Sequence, residues 1–129
     1  MTKKSAFISF DYDHDNLLPI FLSGQAKNED SPFEISDWSV KEELSGDWKE
    51  KVRARIKKVD QVIILCGEHT DTTSGVNAEL KLTQEEKKPY FLLWGYSDKT
   101  CKKPRAALDS DKIYKWTWDN LKSLLNGSR

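Results

Sequence analysis

Two short apolar runs, at residues 62–65 and at Tyr90–Trp94, constrain the fold of this chain more than any other feature. Neither run alternates apolar with polar residues, so each predicts a strand that is buried on both faces of a sheet. Two further strand-like runs precede them, at residues 6–10 and at Phe33–Trp38, and helix-like stretches separate all four. Strands that alternate with helices indicate parallel pairing and right-handed crossovers.

The predicted helices are placed by apolar spacing and by capping residues. Trp48, Val52, Ile56 and Val59 recur at intervals of four, four and three, which is one face of a helix that Asp47 can cap. A helix is predicted at 16–27, with Asp15 as its cap and Pro19 in its first turn, and another at about 74–87, with Ser74 as its cap. Residues 113–116 are predicted to form a short strand, and Thr117 is predicted to cap a terminal helix.

The resulting order, β-α-β-α-β-α-β-x-β-α, predicts an α/β chain with a flavodoxin-like three-layer sandwich. Its sheet would be parallel and five-stranded, in the order 2-1-3-4-5. A length of 129 residues fits one domain, covering 1–129, and no internal repeat is visible.

Charge and cysteine content exclude several classes of function. Lysine and arginine number 21 and so do aspartate and glutamate, so no charge excess favours nucleic acid or an anionic membrane surface. Cys66 and Cys101 have neither a disulfide framework nor metal-ligand spacing, which favours a reducing compartment. No signal-peptide stretch and no run long enough to span a membrane is present, so the sequence predicts a cytoplasmic protein.

The predicted strand order also predicts where a ligand binds. In open α/β sheets the site lies beyond the carboxyl ends of the strands, where the strand order reverses, which here is between strands 1 and 3. The loops at that point are residues 11–15 and 66–70. They carry the two histidines of the chain, His14 and His69, and the helix at 74–87 starts from the same edge.

Glu79 is the most informative residue of that helix. At 100° per residue it falls inside the apolar arc that Val76 and Leu80 define. The opposite face is polar and carries Asn77, Lys81, Gln84 and Glu85. A carboxylate on the core side is costly unless it is paired or lines a cavity, which favours a pocket carboxylate with a raised pKa. The alternative is that it turns out to solvent or meets Arg53 or Arg55.

Acidic and histidine side chains in the two loops offer weaker candidates. Asp11, Asp13, Asp15 and His14 could bind a divalent cation, but a solvated loop with a helix cap is the favoured interpretation, and no metal site is predicted. His69 could act as a general base or could be an exposed loop residue.

Trp38 and Cys66 have structural interpretations beside functional ones. Trp38 follows the second strand and could stack on a ligand ring or belong to the core. Cys66 could be a nucleophile, but the sequence supplies no base for it, so a core thiol is favoured. The basic run at 99–105 is predicted to be a surface loop.

Three stretches resemble the family of TIR-like proteins. Residues 4–12, Lys-Ser-Ala-Phe-Ile-Ser-Phe-Asp-Tyr, are similar to the family's opening strand, which is followed by Asp or His and then Tyr. Residues 60–65 are similar to its third strand, and Ser74 to Leu80 resembles the helix with the pattern S-x-x-x-x-E-h. The resemblance extends from the first strand to about Trp116 and is closest to the bacterial and archaeal branch that includes the TIR component of Thoeris anti-phage defence.

The resemblance implies a flavodoxin-like TIR fold and a function in signalling. In enzymatic members the helix glutamate, here Glu79, is the catalytic residue that cleaves NAD⁺ at the nicotinamide–ribose bond to give ADP-ribose or a cyclic ADP-ribose-type signal. NAD⁺ would be the substrate, with no further cofactor. The substrate-binding residues implied are Phe10, Asp11, Tyr12, Trp38 and Ser74. The loop at 39–47 would gate the pocket and mediate self-association.

Single residues distinguish this chain from other classes of protein with the same topology. A response-regulator receiver needs an aspartate at the end of strand 3, where this chain has Leu65, Cys66 and Gly67. The acidic residues after strand 1 would repel the phosphate of a flavin nucleotide, and the three spaced glycines of a dinucleotide fingerprint are absent. Two interpretations therefore remain. The chain is either an enzyme or a non-catalytic module that binds itself or other TIR-like or effector proteins. Val76 and Asn77 occupy positions where classical TIR enzymes often have tryptophan or cysteine.

Overall fold

A computed structural model describes residues 4–12, 14–15, 17–29, 31, 33–38, 46–96 and 98–125. Their elements are β1 (Lys4–Ser9), α1 (Leu18–Ala26), β2 (Phe33–Trp38), α2 (Gly46–Lys58), β3 (Gln61–Cys66), a 3-10 turn (Thr70–Thr72), α3 (Ser74–Glu85), β4 (Tyr90–Trp94), β5 (Ile113–Lys115) and α4 (Trp118–Leu125). The strands form one five-stranded sheet in the order β2-β1-β3-β4-β5, and every neighbouring pair is parallel. The predicted fold class and strand order are confirmed.

Helices cover both faces of the sheet and divide the core in two. α1 and α4 pack with Ile63 and Leu65 on one face, and α2 and α3 pack with Val62 and Ile64 on the other. All six residues of β3 are buried, as the uninterrupted apolar run predicts for a central strand. Trp48 is buried on the inner face of α2, where its spacing placed it.

Of the four helix caps that the sequence predicts, one is present in the structure. Thr117 caps α4, because its Oγ1 accepts the Asn120 N–H at 3.1 Å. Asp47 lies within the first turn of α2 and not before it. Asp15 and Ser74 are wrong as caps: α1 has Leu17 and α3 has Thr73 at the N-cap position, and neither makes a side-chain cap.

The long connection between β4 and β5 packs against α3 and is less exposed than its basic composition predicts. The backbone N–H of Ala106 donates to Asn77 Oδ1 at 2.8 Å, and Gln84 Nε2 donates to the carbonyl oxygen of Ala106 at 2.9 Å. Cys101 and Pro104 are buried although lysines surround them, so the connection is only partly a surface loop. Among the helices described, none is long and apolar enough to cross a membrane.

Candidate functional site

Polar side chains converge where β1 and β3 end, which is the edge that the strand order singled out. These two strands are neighbours, with Ser9 beside Ile64, but the chain leaves them on opposite sides of the sheet. It passes from β1 to α1 on one face, and from β3 to α3 on the other. In open α/β sheets, ligands bind beyond the strand ends at a point where the connections diverge in this way.

Glu79 lies on the core side of α3, as its position on the helical wheel predicts. It is 3 % exposed and packs between the buried residues Val76 and Leu80 along the helix. Its Oε1 accepts a hydrogen bond of 2.7 Å from Ser9 Oγ, on the last residue of β1. The Glu79 carboxyl group is therefore anchored to the end of β1, the strand that precedes the candidate site.

Ser9 is a residue of the candidate site that the sequence motifs did not single out. It belongs to the opening motif but was given no role. The sequence does contain a signal for this role, since Ser9 is a hydroxyl residue within the apolar run that ends at Phe10. A fully buried serine needs a hydrogen-bond partner. The identity of that partner, 70 residues away, depends on how α3 packs on the sheet.

Asp11 connects the loop after β1 to the start of α3. It is 3 % exposed, and its Oδ2 accepts hydrogen bonds from Thr73 Oγ1 at 2.9 Å and, in the tautomer with a protonated Nδ1, from His14 at 2.7 Å. Thr73 also contacts the carbonyl oxygen of His69 at 2.9 Å, so its hydroxyl is directed away from the helix it precedes. This engagement explains why Thr73 does not cap α3.

The two histidines meet, as expected for loops that leave neighbouring strands. The ring centroids of His14 and His69 are 4.2 Å apart with the planes tilted by 33°. The pair lies directly beside the Asp11 carboxylate, so a proton acceptor is available next to the candidate site. The role of His69 as a general base stays a prediction.

Asp15 is buried instead of capping α1, because its carboxyl group turns inward. Tyr96 donates a hydrogen bond of 2.7 Å to Asp15 Oδ1, while no partner reaches the buried Oδ2 within the described part of the chain. Burial raises the pKa of Asp15 above its ordinary value, and the charge of Asp11 raises it further. The hydrogen bond from Tyr96 lowers the same pKa, as do His14 and His69.

The favoured interpretation of residues 11–15 as a solvated loop is therefore wrong for two of its acids. Asp11 and Asp15 are both 3 % exposed, and each accepts one hydrogen bond from a hydroxyl group of another segment, Asp11 from Thr73 and Asp15 from Tyr96. Asp13 lies outside the described residues. In the ranges that the structure describes, no group of three histidine, cysteine or acidic side chains is arranged to hold a metal ion.

The other predicted substrate-binding residues have different exposures. Phe10 is buried and its ring stacks on that of Tyr12, with centroids 6.0 Å apart, whereas Tyr12 is 43 % exposed. Ser74 is the exposed first residue of α3. Trp38 ends β2 in register with Ile8, and its side chain lies outside the described part of the chain, as do residues 39–45 of the predicted gating loop.

Cys66 has the environment of a structural thiol. It is fully buried at the end of β3, and desolvation raises its pKa strongly, which opposes formation of a nucleophilic thiolate. Cys101 is also buried and also has a raised pKa, principally because of burial. The prediction of Cys66 as a core thiol is confirmed.

Comparisons with known proteins agree with this architecture. A prokaryotic SEFIR domain of known crystal structure superimposes with a TM-score of 0.54 at 16 % identity, covering 96 % of this chain and 94 % of that one, and it is similar in fold. No curated protein sequence gives a significant match. The family model described as "Thoeris protein ThsB, TIR-like domain" matches residues 7–100, which is more than half of the sequence. The chain belongs to the TIR-like domain family of Thoeris proteins.

Proposed function

We propose that this TIR-like domain cleaves NAD⁺ between nicotinamide and ribose and releases ADP-ribose or a cyclic ADP-ribose-type signal in anti-phage defence. The observation that carries the proposal is the buried Glu79 carboxyl group, held by Ser9 at the edge where β1 and β3 diverge. Burying a carboxyl group costs stability, and a catalytic site that requires this group would explain why it is retained. The family resemblance supports the same residue.

The chemistry fits a fixed carboxylate. When the glycosidic carbon–nitrogen bond breaks, nicotinamide leaves with the bonding electron pair, and positive charge develops on the ribose carbon and its ring oxygen. An anion already oriented towards that charge stabilises the transition state without reorganising. Water, or a nucleophilic atom of the ADP-ribose part itself, then forms the new bond and loses a proton. In this proposal Glu79 stabilises the cation and binds ribose hydroxyls.

The surroundings of Glu79 favour a cationic substrate. Asp11 contributes a second buried carboxyl group at the same edge, tied to α3 through Thr73. Two carboxylates near the strand ends create a negative potential that attracts the positively charged nicotinamide ring of NAD⁺. The product lacks this positive charge, so cleavage weakens the attraction and favours release.

A non-catalytic interaction module is the second candidate. The observation that favours it is the group of exposed apolar side chains on and before α1, which an enzyme acting on a dinucleotide does not need. The two functions are compatible, because α1 and α3 lie on opposite faces of the sheet.

The experiment is incubation of the purified protein with NAD⁺, with nicotinamide release followed by chromatography. Glu79→Gln keeps an oxygen that can accept the Ser9 hydrogen bond but removes the charge, so it should fold normally and release no nicotinamide. Glu85→Gln is the matched control on the same helix, since Glu85 is exposed and pairs with Arg53 at 2.9 Å, and it should retain the wild-type rate. Equal release by all three proteins would show that Glu79 is not the catalytic residue.

The assay is repeated with phage-infected lysate to supply a trigger. Nicotinamide release that requires both the lysate and Glu79 supports an enzyme that awaits activation. Absence of release in both conditions contradicts the enzymatic function and leaves the interaction module.

A further inference from the structure

His14 and Asp11 form a hydrogen-bonded pair whose acid is fixed by two segments of the chain. The Asp15 N–H donates to the Asp11 carbonyl oxygen at 2.8 Å, and the turn that this bond closes brings His14 Nδ1 within 2.7 Å of Asp11 Oδ2. Thr73, which precedes α3, donates to the same carboxylate oxygen at 2.9 Å. An ion pair on the surface is mobile and contributes little, whereas this carboxyl group is 3 % exposed and is held in place.

The position of Asp11 determines which nitrogen of His14 is basic. Asp11 Oδ2 is an acceptor towards Thr73, so the contact of 2.7 Å to His14 needs a proton on Nδ1. A neutral imidazole with its proton on Nδ1 has its basic lone pair on Nε2. The His14 side chain is 52 % exposed, so water reaches this ring. An exposed imidazole oriented by a buried carboxylate is the arrangement of a general base and its orienting acid.

The ring of His14 is also restrained from the loop after β3. The centroid of the His69 ring lies 4.2 Å from that of His14, so the two rings are in contact and the exposed side chain loses part of its rotational freedom. Asp15 is a further titratable group beside the pair, and its carboxyl group interacts electrostatically with Asp11 and with both histidines. Tyr96 reaches the same cluster through its hydrogen bond to Asp15.

The separation between the pair and Glu79 fits a sugar ring. Thr73, which contacts Asp11, precedes Glu79 by six residues, which is about 9 Å along α3. Ser9, which contacts Glu79, precedes Asp11 by two residues, which is about 7 Å of extended chain. Inverting glycosidases hold their two catalytic groups about 6.5–9.5 Å apart, because the reacting sugar carbon and the attacking water lie between them.

We propose that His14 is the general base of the cleavage reaction and that its Nε2 accepts a proton from the attacking water. This inference rests on the proposed function, in which Glu79 binds the ribose of NAD⁺. The bond between nicotinamide and ribose breaks with its electron pair going to the ring nitrogen, while a lone pair of water forms the new carbon–oxygen bond. The water proton passes to Nε2, and the imidazolium then returns it to solvent. NAD⁺ and water thus give ADP-ribose, nicotinamide and one proton.

Asp11 is a positioning residue in this step. It keeps the proton of His14 on Nδ1, so that Nε2 faces the reaction with its lone pair, and it stabilises the imidazolium that forms. A base that serves water also favours ADP-ribose over a cyclic product, since the nucleophilic atoms of the ADP-ribose part compete with water for the same carbon.

The test is the pH dependence of nicotinamide release by the full chain, measured as kcat/KM. A base that must be unprotonated gives a rate that rises about tenfold per pH unit in acid and levels off above about pH 6.5, as is usual for an imidazole. His14→Gln should lose this acid limb and slow release on the order of a hundredfold. His69→Gln is the comparison at the other histidine of the chain, and it should keep the limb because the contact between Asp11 and His14 is unchanged.

Two further measurements separate the loss of a base from the loss of structure. Imidazole added to His14→Ala should restore release, whereas it should not restore release by Glu79→Gln. Nitrogen-15 NMR of the imidazole rings reads the tautomer without any need for activity. At neutral pH, His14 should carry its proton on Nδ1 in the wild type and lose that preference in Asp11→Asn, whose amide can donate to Nδ1.

The outcomes distinguish this inference from the proposed function. An acid limb that His14→Gln removes, together with rescue by imidazole and a proton on Nδ1, supports the inference. A limb that persists in His14→Gln, or that His69→Gln removes instead, overturns the inference and leaves NAD⁺ cleavage by Glu79 standing, as does a product that is cyclic only. No release by any of the proteins, with or without phage-infected lysate, overturns both.

Discussion

Gly67 lies directly against the carboxyl group of Asp15. A Cβ added to Gly67 would be 2.6 Å from Asp15 Oδ1 and in still closer contact with Oδ2, which no real Cβ tolerates. On its other side the same carboxyl group accepts the hydroxyl hydrogen bond of Tyr96. The loops that follow β1, β3 and β4 therefore meet at one buried acid next to the candidate site.

Gly67→Ala should destabilise the fold by about 1–3 kcal/mol, because the new methyl group forces the Asp15 carboxyl group to move within a packed site. The same movement also weakens the hydrogen bond that Tyr96 donates to Asp15. Urea unfolding monitored by tryptophan fluorescence measures the change as a lower midpoint.

Gly75→Ala provides the control for this substitution. A Cβ there meets nothing within 4 Å, and Gly75 is the second residue of α3, where alanine should stabilise the protein by up to about 1 kcal/mol because it reduces the conformational entropy of the unfolded chain. This variant should unfold at the same or a higher urea concentration than the wild type. Equal midpoints for Gly67→Ala and the wild type would show that Asp15 does not hold its position.

Asp15→Asn should change how stability depends on pH. Burial raises the pKa of Asp15, and this effect outweighs Tyr96, His14 and His69, which lower it. Because the pKa is higher in the folded than in the unfolded state, Asp15 favours folding most when it is protonated. That contribution is lost as pH rises from about 4 through the folded-state pKa. Asparagine cannot ionise, so the variant gains stability relative to the wild type as pH rises.

The measurement is urea unfolding of both proteins at several pH values between about 4 and 7.5. The difference in free energy of unfolding, variant minus wild type, should increase with pH until Asp15 is ionised in the folded state, and it should be constant above that point. Asp109→Asn, at an exposed position, should give a smaller slope. A difference that is flat or decreases with pH would mean that the pKa of Asp15 is not raised.

The elements of this fold could be predicted where a short sequence window decides the structure. The bounds of β4 match the apolar run at Tyr90–Trp94, because a buried strand ends where polar residues begin, and the bounds of β2 match the strand-like run at Phe33–Trp38. The inward position of Glu79 follows from 100° per residue alone, and its burial confirms it.

Side-chain partners from distant segments could not be predicted in the same way. An aspartate before a helix is a good local cap, but Asp15 is engaged by Tyr96, 81 residues later. Cys101 lies among lysines along the chain, yet it fills the core between the β4–β5 connection and α3. In both cases tertiary packing outweighs a local preference of about 1 kcal/mol, and a single sequence contains no direct record of which loops meet.

Asn77→Ala should release the β4–β5 connection from α3. Asn77 accepts the Ala106 N–H, and its Nδ2 donates to the carbonyl oxygens of Thr73 at 2.9 Å and Asp71 at 3.2 Å. Loss of these bonds should cost about 1–3 kcal/mol of stability. Hydrogen exchange measures the local effect, since the Ala106 amide should exchange faster. Lys81→Ala, at an exposed position of the same helix, should leave that amide protected.

Ser9→Ala should separate the structural role of the Ser9–Glu79 hydrogen bond from the proposed catalytic role of the acid. The variant removes the Ser9 hydroxyl donor from the buried Glu79 carboxyl group, which should cost about 1–3 kcal/mol in urea unfolding. Under the proposed function, nicotinamide release should also slow by at least about tenfold, because Glu79 is less well oriented, whereas the KM for NAD⁺ should change less. Glu79→Gln should show the opposite combination, with stability near that of the wild type and no release. A Ser9→Ala protein with wild-type stability and rate would mean that the 2.7 Å contact serves neither role.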